Sequence, residues 1–179
     1  MRFFDHFRSS EDRKFWSQRL RCNEVKLEGT SPRVVLNAAS LGELNGVFPV
    51  VRALKELGFP GTIVLSVGTP GAYRKAKAVI TSELSTKVIP APLETPGSVK
   101  AFLDAVRPDL FVNFEAEYWP VLFSGLRYRK IPAILANGRI SERSFRAYNL
   151  LSVFFSPIFR YFSRLGVISE THRNRAIHL

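Results

Sequence analysis

Along most of the chain, short apolar runs alternate with longer segments in which apolar residues recur every three or four positions. Six runs rich in Val, Ile and Leu are predicted as strands, at 34–39, 62–67, 86–91, 109–114, 132–138 and 165–169. Three segments between them have helical spacing, at 44–58, 98–108 and 118–130. Ser98 is the candidate N-cap of the second. Because strands that alternate with helices are typical of βαβ units, the pattern predicts an α/β fold. We expect a doubly wound parallel sheet of about six strands with helices on both faces.

The first 32 residues depart from this rhythm. The stretch FFDHFRSSEDRKFWSQRLR mixes charged and aromatic residues without a strand-like run. We therefore predict two regions: an amphipathic, basic and aromatic N-terminal arm at 1–32, and one α/β domain at 33–179.

The charge balance is strongly basic, with 26 Lys and Arg against 15 Asp and Glu and a formal net charge of +11. Nucleic acid, an acidic membrane surface and phosphorylated substrates all suit such a charge, which by itself selects none of them. The longest apolar stretch, 150–162, is too short to span a bilayer and contains Pro157 and Arg160. We predict no membrane-spanning segment.

Metal-binding residues are sparse and scattered. Cys22 is the single cysteine and cannot form an internal disulfide, and no signal-peptide pattern opens the chain, so a reducing compartment is favoured. The three histidines, His6, His172 and His178, lack the close spacing of a zinc site. We predict neither a metal ion nor a cofactor.

Polar loops follow five of the predicted strands. They are SLGE (40–43), GTPG (68–71), PLETPG (92–97), EAEYWP (115–120) and NGRISERS (137–144). In open parallel sheets, ligands bind beyond the carboxyl ends of the strands. These loops are therefore the candidate site. GTPG lacks the Lys of a P-loop and the spacing of a dinucleotide fingerprint, so it is weak evidence for nucleotide binding.

The first loop gives the sharpest candidate. Ser40 and Gly42 allow a tight turn with bare backbone N–H groups, and Glu43 would project from the start of a helix. Two interpretations remain open. Glu43 could act as a general base, or it could complement the helix dipole for about 0.3–1 kcal/mol of stability.

Charged residues of the later loops have similar alternatives. Glu115 and Glu117 flank the exit of the fourth strand, where they could bind substrate hydroxyls or serve the helix start. Arg139 and Arg143 bring guanidinium groups suited to phosphate or carboxylate to the same rim. As single residues, such arginines are more often solvated loop charges.

Taken together, the loop sequences resemble one enzyme family. The segments are SLGE, TPG, PLETPGSVKAFL, RPDLFVNFEAEYWP and IPAILANGRISERSFRAY. In order and spacing they are similar to the N-terminal half of the Kdo transferases, glycosyltransferases that add 3-deoxy-D-manno-octulosonic acid (Kdo) to a lipid A precursor. The resemblance covers residues 34–179.

This resemblance implies a GT-B architecture, with two Rossmann-like domains and an active site in the cleft between them. The chain matches the acceptor-binding N-terminal domain, and a donor-binding C-terminal domain is absent from it. In the family, the Glu of S-x-G-E is the proposed base of an inverting transfer from the donor substrate CMP-Kdo, and it corresponds to Glu43. The residues implied in substrate binding are Ser40, Gly42, Glu115, Glu117, Arg139, Ser141 and Arg143.

The resemblance and the positive charge agree on a location. Both suit peripheral attachment to the anionic cytoplasmic face of the bacterial inner membrane, where a lipid A precursor would be the partner. Two other classes stay open: a noncatalytic glycan- or lipid-binding module, and a basic nucleic-acid-binding module using the RYRK segment at 127–130. No base-reading motif is present, so no specific nucleic acid is predicted.

Overall fold

A parallel sheet forms the centre of the molecule. The structure, a computed structural model, describes residues 9–21, 27, 29–80, 86–116 and 118–179. Within them, six strands have the order β3-β2-β1-β4-β5-β6. Their bounds are β1 Arg33–Ala38, β2 Thr62–Val67, β3 Thr86–Pro90, β4 Leu110–Phe114, β5 Ala133–Gly138 and β6 Phe162–Val167. The predicted doubly wound sheet is confirmed.

Helices cover both faces of this sheet. Their bounds are α1 Ser10–Arg21, α2 Leu41–Glu56, α3 Pro70–Val79, α4 Pro96–Val106, α5 Pro120–Tyr128, α6 Glu142–Leu150, α7 Ser152–Tyr161 and α8 Glu170–His178. One apolar cluster joins the sheet to α2 and α3, and a second joins it to α4, α5 and α7. Alternate residues of β1 serve the two clusters, with Leu36 in the first and Val35 in the second. Burial on both faces explains why the central strands are apolar throughout.

The sixth strand differs from its prediction. It runs from Phe162 to Val167 and not over 165–169, so both predicted boundaries were wrong. This strand lies at the edge of the sheet, where Ser163 and Arg164 are exposed. Because one side of an edge strand meets solvent, its first residues carry no apolar run that could mark them.

Most helix starts at the carboxyl edge of the sheet are capped by a hydroxyl. Ser40, Thr69, Thr95 and Ser141 each accept a hydrogen bond from the backbone N–H three residues later. The cap of α4 is therefore Thr95, and the prediction of Ser98 was wrong. Since each of these helices follows a strand, their N-termini gather at one edge and make it electropositive.

Helix α1 lies within the region predicted as an arm, and it packs against the domain. Phe15 is buried, with its ring centroid 5.4 Å from that of Tyr73 on α3. The Arg19 guanidinium donates to the carbonyl oxygens of Gly68, Ala91 and Pro92 at 2.8, 2.9 and 3.2 Å. These carbonyls follow β2 and β3, so α1 covers part of the carboxyl edge. The division of the chain at residue 32 stays a prediction. In the described part of the chain, no helix is long and apolar enough to cross a membrane.

Candidate functional site

The strand order places a crevice between β1 and β4. These strands lie side by side, with Asn37 opposite Asn113, while their crossover connections run in opposite directions along the sheet. Ligands of doubly wound proteins bind at such a reversal, beyond the carboxyl ends of the strands. The loops that follow β1 and β4 therefore form the walls of the candidate site.

Glu43 is held tightly at this crevice. Its side chain is buried, with the residue 6% exposed. One carboxylate oxygen accepts the Ala39 backbone N–H at 2.8 Å, and the other accepts the Ser40 hydroxyl at 3.0 Å. The Ser40 hydroxyl oxygen in turn accepts the Glu43 backbone N–H at 3.5 Å. This reciprocal arrangement resembles a capping box and fixes the carboxylate at the first turn of α2.

The backbone at Gly42 does not depend on glycine, and the predicted contact of Gly42 with substrate stays a prediction. Its φ lies outside the left-handed region, and an added Cβ would come no closer than 3.9 Å to the Ser40 hydroxyl oxygen. A tight turn therefore does not require glycine here. Because Gly42 is exposed beside a buried carboxylate, the missing side chain leaves the approach to the helix start open.

Glu115 lies at the opposite wall in a strained turn. Its φ of 57° is left-handed, an uncommon conformation for a residue other than glycine. The Tyr118 hydroxyl donates to the Glu115 carbonyl oxygen at 3.0 Å and supports the turn. Burial raises the pKa of Tyr118, so this hydroxyl remains a proton donor. The Glu115 carboxylate accepts the Asn137 side-chain amide at 3.2 Å and lies 3.8 Å from the Arg139 guanidinium. Glu117 lies outside the described residues.

The loop after β5 contributes one arginine to this wall and a cap to the next helix. Arg139 reaches Glu115, whereas the Ser141 hydroxyl accepts the Ser144 backbone N–H at 3.0 Å and starts α6. Arg143 is exposed on the first turn of α6, and no hydrogen bond or ion pair of its side chain occurs among the described residues. Arg139 and Arg143 thus present cationic groups at the rim of the crevice.

Helix α8 fixes the position of that loop. The Ile140 backbone N–H donates to Nδ1 of His172 at 2.8 Å, and Arg175 donates to the Ile140 carbonyl oxygen at 2.7 Å. Arg175 also contacts the Glu142 carboxylate at 2.6 Å. Sequence reasoning missed these two positioning residues, because each contacts residues more than thirty positions away along the chain.

A row of buried polar side chains lies directly below the crevice. Ser66, Asn37 and Asn113 are fully buried neighbours on β2, β1 and β4. Asn37 donates to the Asn113 side-chain oxygen at 3.1 Å. The Asn37 side-chain oxygen, the Asn113 side-chain nitrogen and the Ser66 hydroxyl have no hydrogen-bond partner in the described part of the chain. Buried unsatisfied groups are uncommon in stable cores, so a polar row here marks the crevice as more than a packing interface.

A family model described as 3-deoxy-D-manno-octulosonic-acid transferase (kdotransferase) matches residues 14–179. The chain belongs to this family. The match includes the loops described above and most of α1, and it confirms the resemblance predicted from the loop sequences.

Individual Kdo transferases show the same relationship. The 3-deoxy-D-manno-octulosonic acid transferase of Haemophilus influenzae is 30% identical over 134 residues, which are 74% of this chain and 31% of that protein. That of Rickettsia prowazekii is 30% identical over 138 residues, 76% of this chain and 29% of that protein. The chain thus spans less than a third of these relatives.

Solved structures of two UDP-GlcNAc 2-epimerases are similar to this fold. The UDP-GlcNAc 2-epimerase of Neisseria meningitidis, bound to UDP-GlcNAc, superposes with a TM-score of 0.58 over 82% of this chain and 43% of that chain, at 10% identity. The epimerase of Methanocaldococcus jannaschii has a TM-score of 0.54 over 82% of this chain and 42% of that chain, at 15% identity. At such identities the likeness shows the fold alone, a Rossmann-like domain of the GT-B type.

Sequence reasoning missed one carboxylate in the wall formed by the Kdo transferase loops. Glu94, after β3, accepts the backbone N–H groups of Val121 and Leu122 at 2.8 and 2.9 Å. It thereby caps α5, whose own N-cap residue, Trp119, supplies no side-chain hydrogen bond. Burial of the carboxylate raises the pKa of Glu94, and the two N–H donors oppose that shift. One feature of the sequence could have indicated this contact. Helix α5 begins at Trp119-Pro120, where no residue with a capping side chain stands, so a cap from elsewhere in the chain was to be expected.

Proposed function

We propose that this chain is the acceptor-binding half of a Kdo transferase, which transfers Kdo from CMP-Kdo to a lipid A precursor in lipopolysaccharide biosynthesis. The observation that carries the proposal is the position of Glu43, a carboxylate fixed at the crevice between β1 and β4. Membership of the Kdo transferase family supports the choice of reaction.

In this proposal Glu43 is the general base. Its carboxylate takes the proton from an acceptor hydroxyl, the hydroxyl oxygen forms a bond to the anomeric carbon of Kdo, and the bond from that carbon to the CMP phosphate breaks with inversion. The Ala39 N–H and the Ser40 hydroxyl orient the carboxylate at the start of α2. The two interpretations of Glu43 are therefore compatible, since the same contacts cap α2 and aim the base.

The opposite wall would bind the acceptor. Glu115 can accept hydrogen bonds from sugar hydroxyls, and Arg139 and Arg143 suit the phosphate groups of a lipid A precursor. The helix N-termini at this edge add positive potential. Ser40, Gly42, Ser141 and Glu117 stay predicted substrate contacts. A donor-binding domain would close the cleft, and the complete enzyme would lie peripherally on the cytoplasmic face of the inner membrane.

Acceptor binding tests this assignment on the chain itself. Isothermal titration with a detergent-solubilised lipid A precursor should show binding that the Arg139→Gln/Arg143→Gln variant weakens by at least about tenfold, as expected for charged hydrogen bonds. Arg52→Gln, at an exposed site on α2, is the matched control and should bind normally. CMP-Kdo alone should not bind. Binding of CMP-Kdo without the acceptor would contradict the assignment.

Transfer requires both walls of the cleft. We expect no turnover by residues 1–179 alone, because orientation of two substrates supplies about 7–11 kcal/mol of a barrier. A two-domain version, in which this chain is joined to the C-terminal part of the Haemophilus influenzae relative, should transfer Kdo. Turnover by the isolated chain at the rate of an intact transferase would refute the two-domain mechanism.

A further inference from the structure

A long apolar groove runs along α5, between α4 and α7. Its volume is about 690 Å³, and it extends from Pro96 and Pro120 at the carboxyl edge to Tyr128 at the far end of α5. Val99 and Phe123 lie along it, and Val153, Phe154 and Pro157 of α7 form its other wall. We call this surface the α5 groove. It lies on the flank of the domain and joins the edge that carries Glu43 and Glu115.

Large apolar side chains stand exposed around this groove. Tyr128, Val153 and Phe154 are 89%, 79% and 57% exposed, and Leu150 and Leu151, where α6 meets α7, are exposed as well. Single exposed apolar residues are common on soluble domains, but a group on one corner marks an interaction site. Neither Val153 nor Phe154 belongs to an apolar core cluster of the described residues. The exposure of these two side chains to water is therefore unfavourable, and they add nothing to the stability of the core.

The charges around the α5 groove are almost all positive. Its lining includes Lys100, Arg127 and Arg129 and no carboxylate, and a smaller adjoining cavity of about 240 Å³ is lined by Arg127, Arg160, Pro157 and Tyr161. Asp104 pairs with Lys100 and Arg129 at 2.8 Å each. Arg127 and Arg160 form no ion pair within the described residues. An apolar surface flanked by uncompensated arginines complements a layer of acidic headgroups above hydrocarbon.

We propose that the α5 groove and the α6–α7 corner form the surface on which the protein docks to a bilayer containing acidic phospholipid. Val153, Phe154 and Tyr128 enter the interface between headgroups and acyl chains, and Arg127 and Arg160 bind the anionic headgroups. This inference names the membrane contact of the proposed transferase and in that respect rests on the proposed function. A second copy of the chain fits less well, because a twofold pairing would bring the same arginines together.

Docking in this orientation has a geometric consequence. The groove begins at Pro96 and Pro120, the first residues of α4 and α5, and these helix starts lie at the carboxyl edge beside the crevice. A lipid-linked acceptor in the same leaflet would therefore reach Glu115 and Glu43 with its sugar end while its acyl chains stayed in the bilayer.

Vesicle co-sedimentation of the 179-residue chain tests the surface directly. The vesicles are phosphatidylcholine alone or phosphatidylcholine mixed with phosphatidylglycerol. Two double variants remove one component each: Arg127→Gln/Arg160→Gln removes charge, and Val153→Ser/Phe154→Ser removes apolar area. The matched control is Arg52→Gln/Leu57→Ser, on α2 and at its C-cap, since Leu57 is 84% exposed and lies away from the α5 groove.

We expect the wild-type chain to bind the acidic vesicles and to lose binding as salt is raised. The charge variant should bind roughly 30-fold more weakly, from about fivefold for each arginine near an acidic surface, and the apolar variant about tenfold more weakly. The control should bind like wild type. A Phe154→Trp probe should shift its emission to the blue on these vesicles, whereas Leu57→Trp should not.

Four outcomes would overturn the proposal: equal binding to neutral vesicles, normal binding by both double variants, a dimer that the apolar variant converts to a monomer, or tighter binding to duplex DNA than to acidic vesicles. Circular dichroism and the melting temperature show whether a variant is folded, and the Phe154→Trp probe gives a readout that does not depend on either double variant. Because the assay contains neither CMP-Kdo nor acceptor, a failure here leaves the transferase assignment standing.

Discussion

Glu43 and Glu115 lie at the ends of neighbouring strands, yet the fold treats the two carboxylates differently. Glu43 is buried, and both of its oxygens accept hydrogen bonds from its own loop. Glu115 is more accessible, and its partners Asn137 and Arg139 come from the loop of the next strand. The first is oriented by contacts within five consecutive positions, 39–43, whereas the second depends on the assembly of β4 with β5. This difference suits Glu43 to the role of a rigidly held base and Glu115 to that of a carboxylate that adjusts as it binds the acceptor.

Glu43→Gln should have the largest effect. In the two-domain version, loss of a general base should lower turnover by on the order of 10²–10⁴, while the nearly isosteric amide keeps most of the loop. A role in helix capping alone would cost about 1 kcal/mol of stability and leave the rate intact. Transfer rate and melting temperature, measured on the same samples, separate the two. A folded variant with near-normal transfer would mean that the wrong carboxylate has been assigned.

Glu115→Gln should weaken acceptor binding, by about tenfold, through the loss of one charged hydrogen-bond acceptor. Turnover at saturating acceptor should change little, and so should stability, because the partly exposed pair with Arg139 is 3.8 Å long and a pair near the surface contributes about 0–1 kcal/mol. Steady-state kinetics in the two-domain version gives both values. A fall in turnover as large as that of Glu43→Gln would reverse the two roles.

Ser40→Ala should lower the free energy of unfolding by about 1 kcal/mol, because it removes the N-cap of α2. Thr69→Ala is the matched control, since Thr69 caps α3 but donates to no carboxylate in the described structure. Denaturant unfolding measures both. If the Ser40 hydroxyl orients Glu43, only Ser40→Ala should also lower turnover, and equal kinetics for the two variants would argue against that role.

The smallest effect concerns Glu94. Partial burial raises the pKa of its carboxyl group in the folded protein, so ionisation is harder there than in the unfolded chain. The stability that this residue contributes is therefore greatest below the ordinary carboxyl pKa and falls as pH rises through the raised value. The free energy of unfolding, measured as a function of pH across this range, should fall less steeply with rising pH in Glu94→Gln than in wild type. An unchanged slope would show that the residue titrates normally.

The parts of the fold that could be predicted were those decided by local pattern. Five strands were found to within one residue at each end. Four of them are central strands, which are continuous apolar runs because both of their faces are buried. The fifth, β3, lies at an edge of the sheet, but its last two residues are buried. Strand β6 was misplaced because its exposed side holds Ser163 and Arg164, and α7 passes into it without a loop. Helices α3, α6, α7 and α8 were not predicted.

The candidate site divides in the same way. Ser40 and Glu43 could be placed from sequence, since a strand followed by Ser-x-x-Glu predicts a helix start whichever strands are neighbours. The contacts of Glu94 with α5, and of His172 and Arg175 with the loop after β5, depend on the order of elements in space. Spacing along the chain contains no information about that order.

Arg19 has a practical consequence for anyone who shortens this protein. Its guanidinium donates to three carbonyl oxygens at the ends of two strands. The guanidinium carbon Cζ lies 5.0 Å from the Trp16 ring centroid and 5.9 Å from that of Trp119. A version trimmed to begin at the first strand would keep the whole sheet. It would lose the hydrogen bonds of Arg19 and expose the apolar surface that Phe15 covers. For crystallisation or display, the cut belongs before α1.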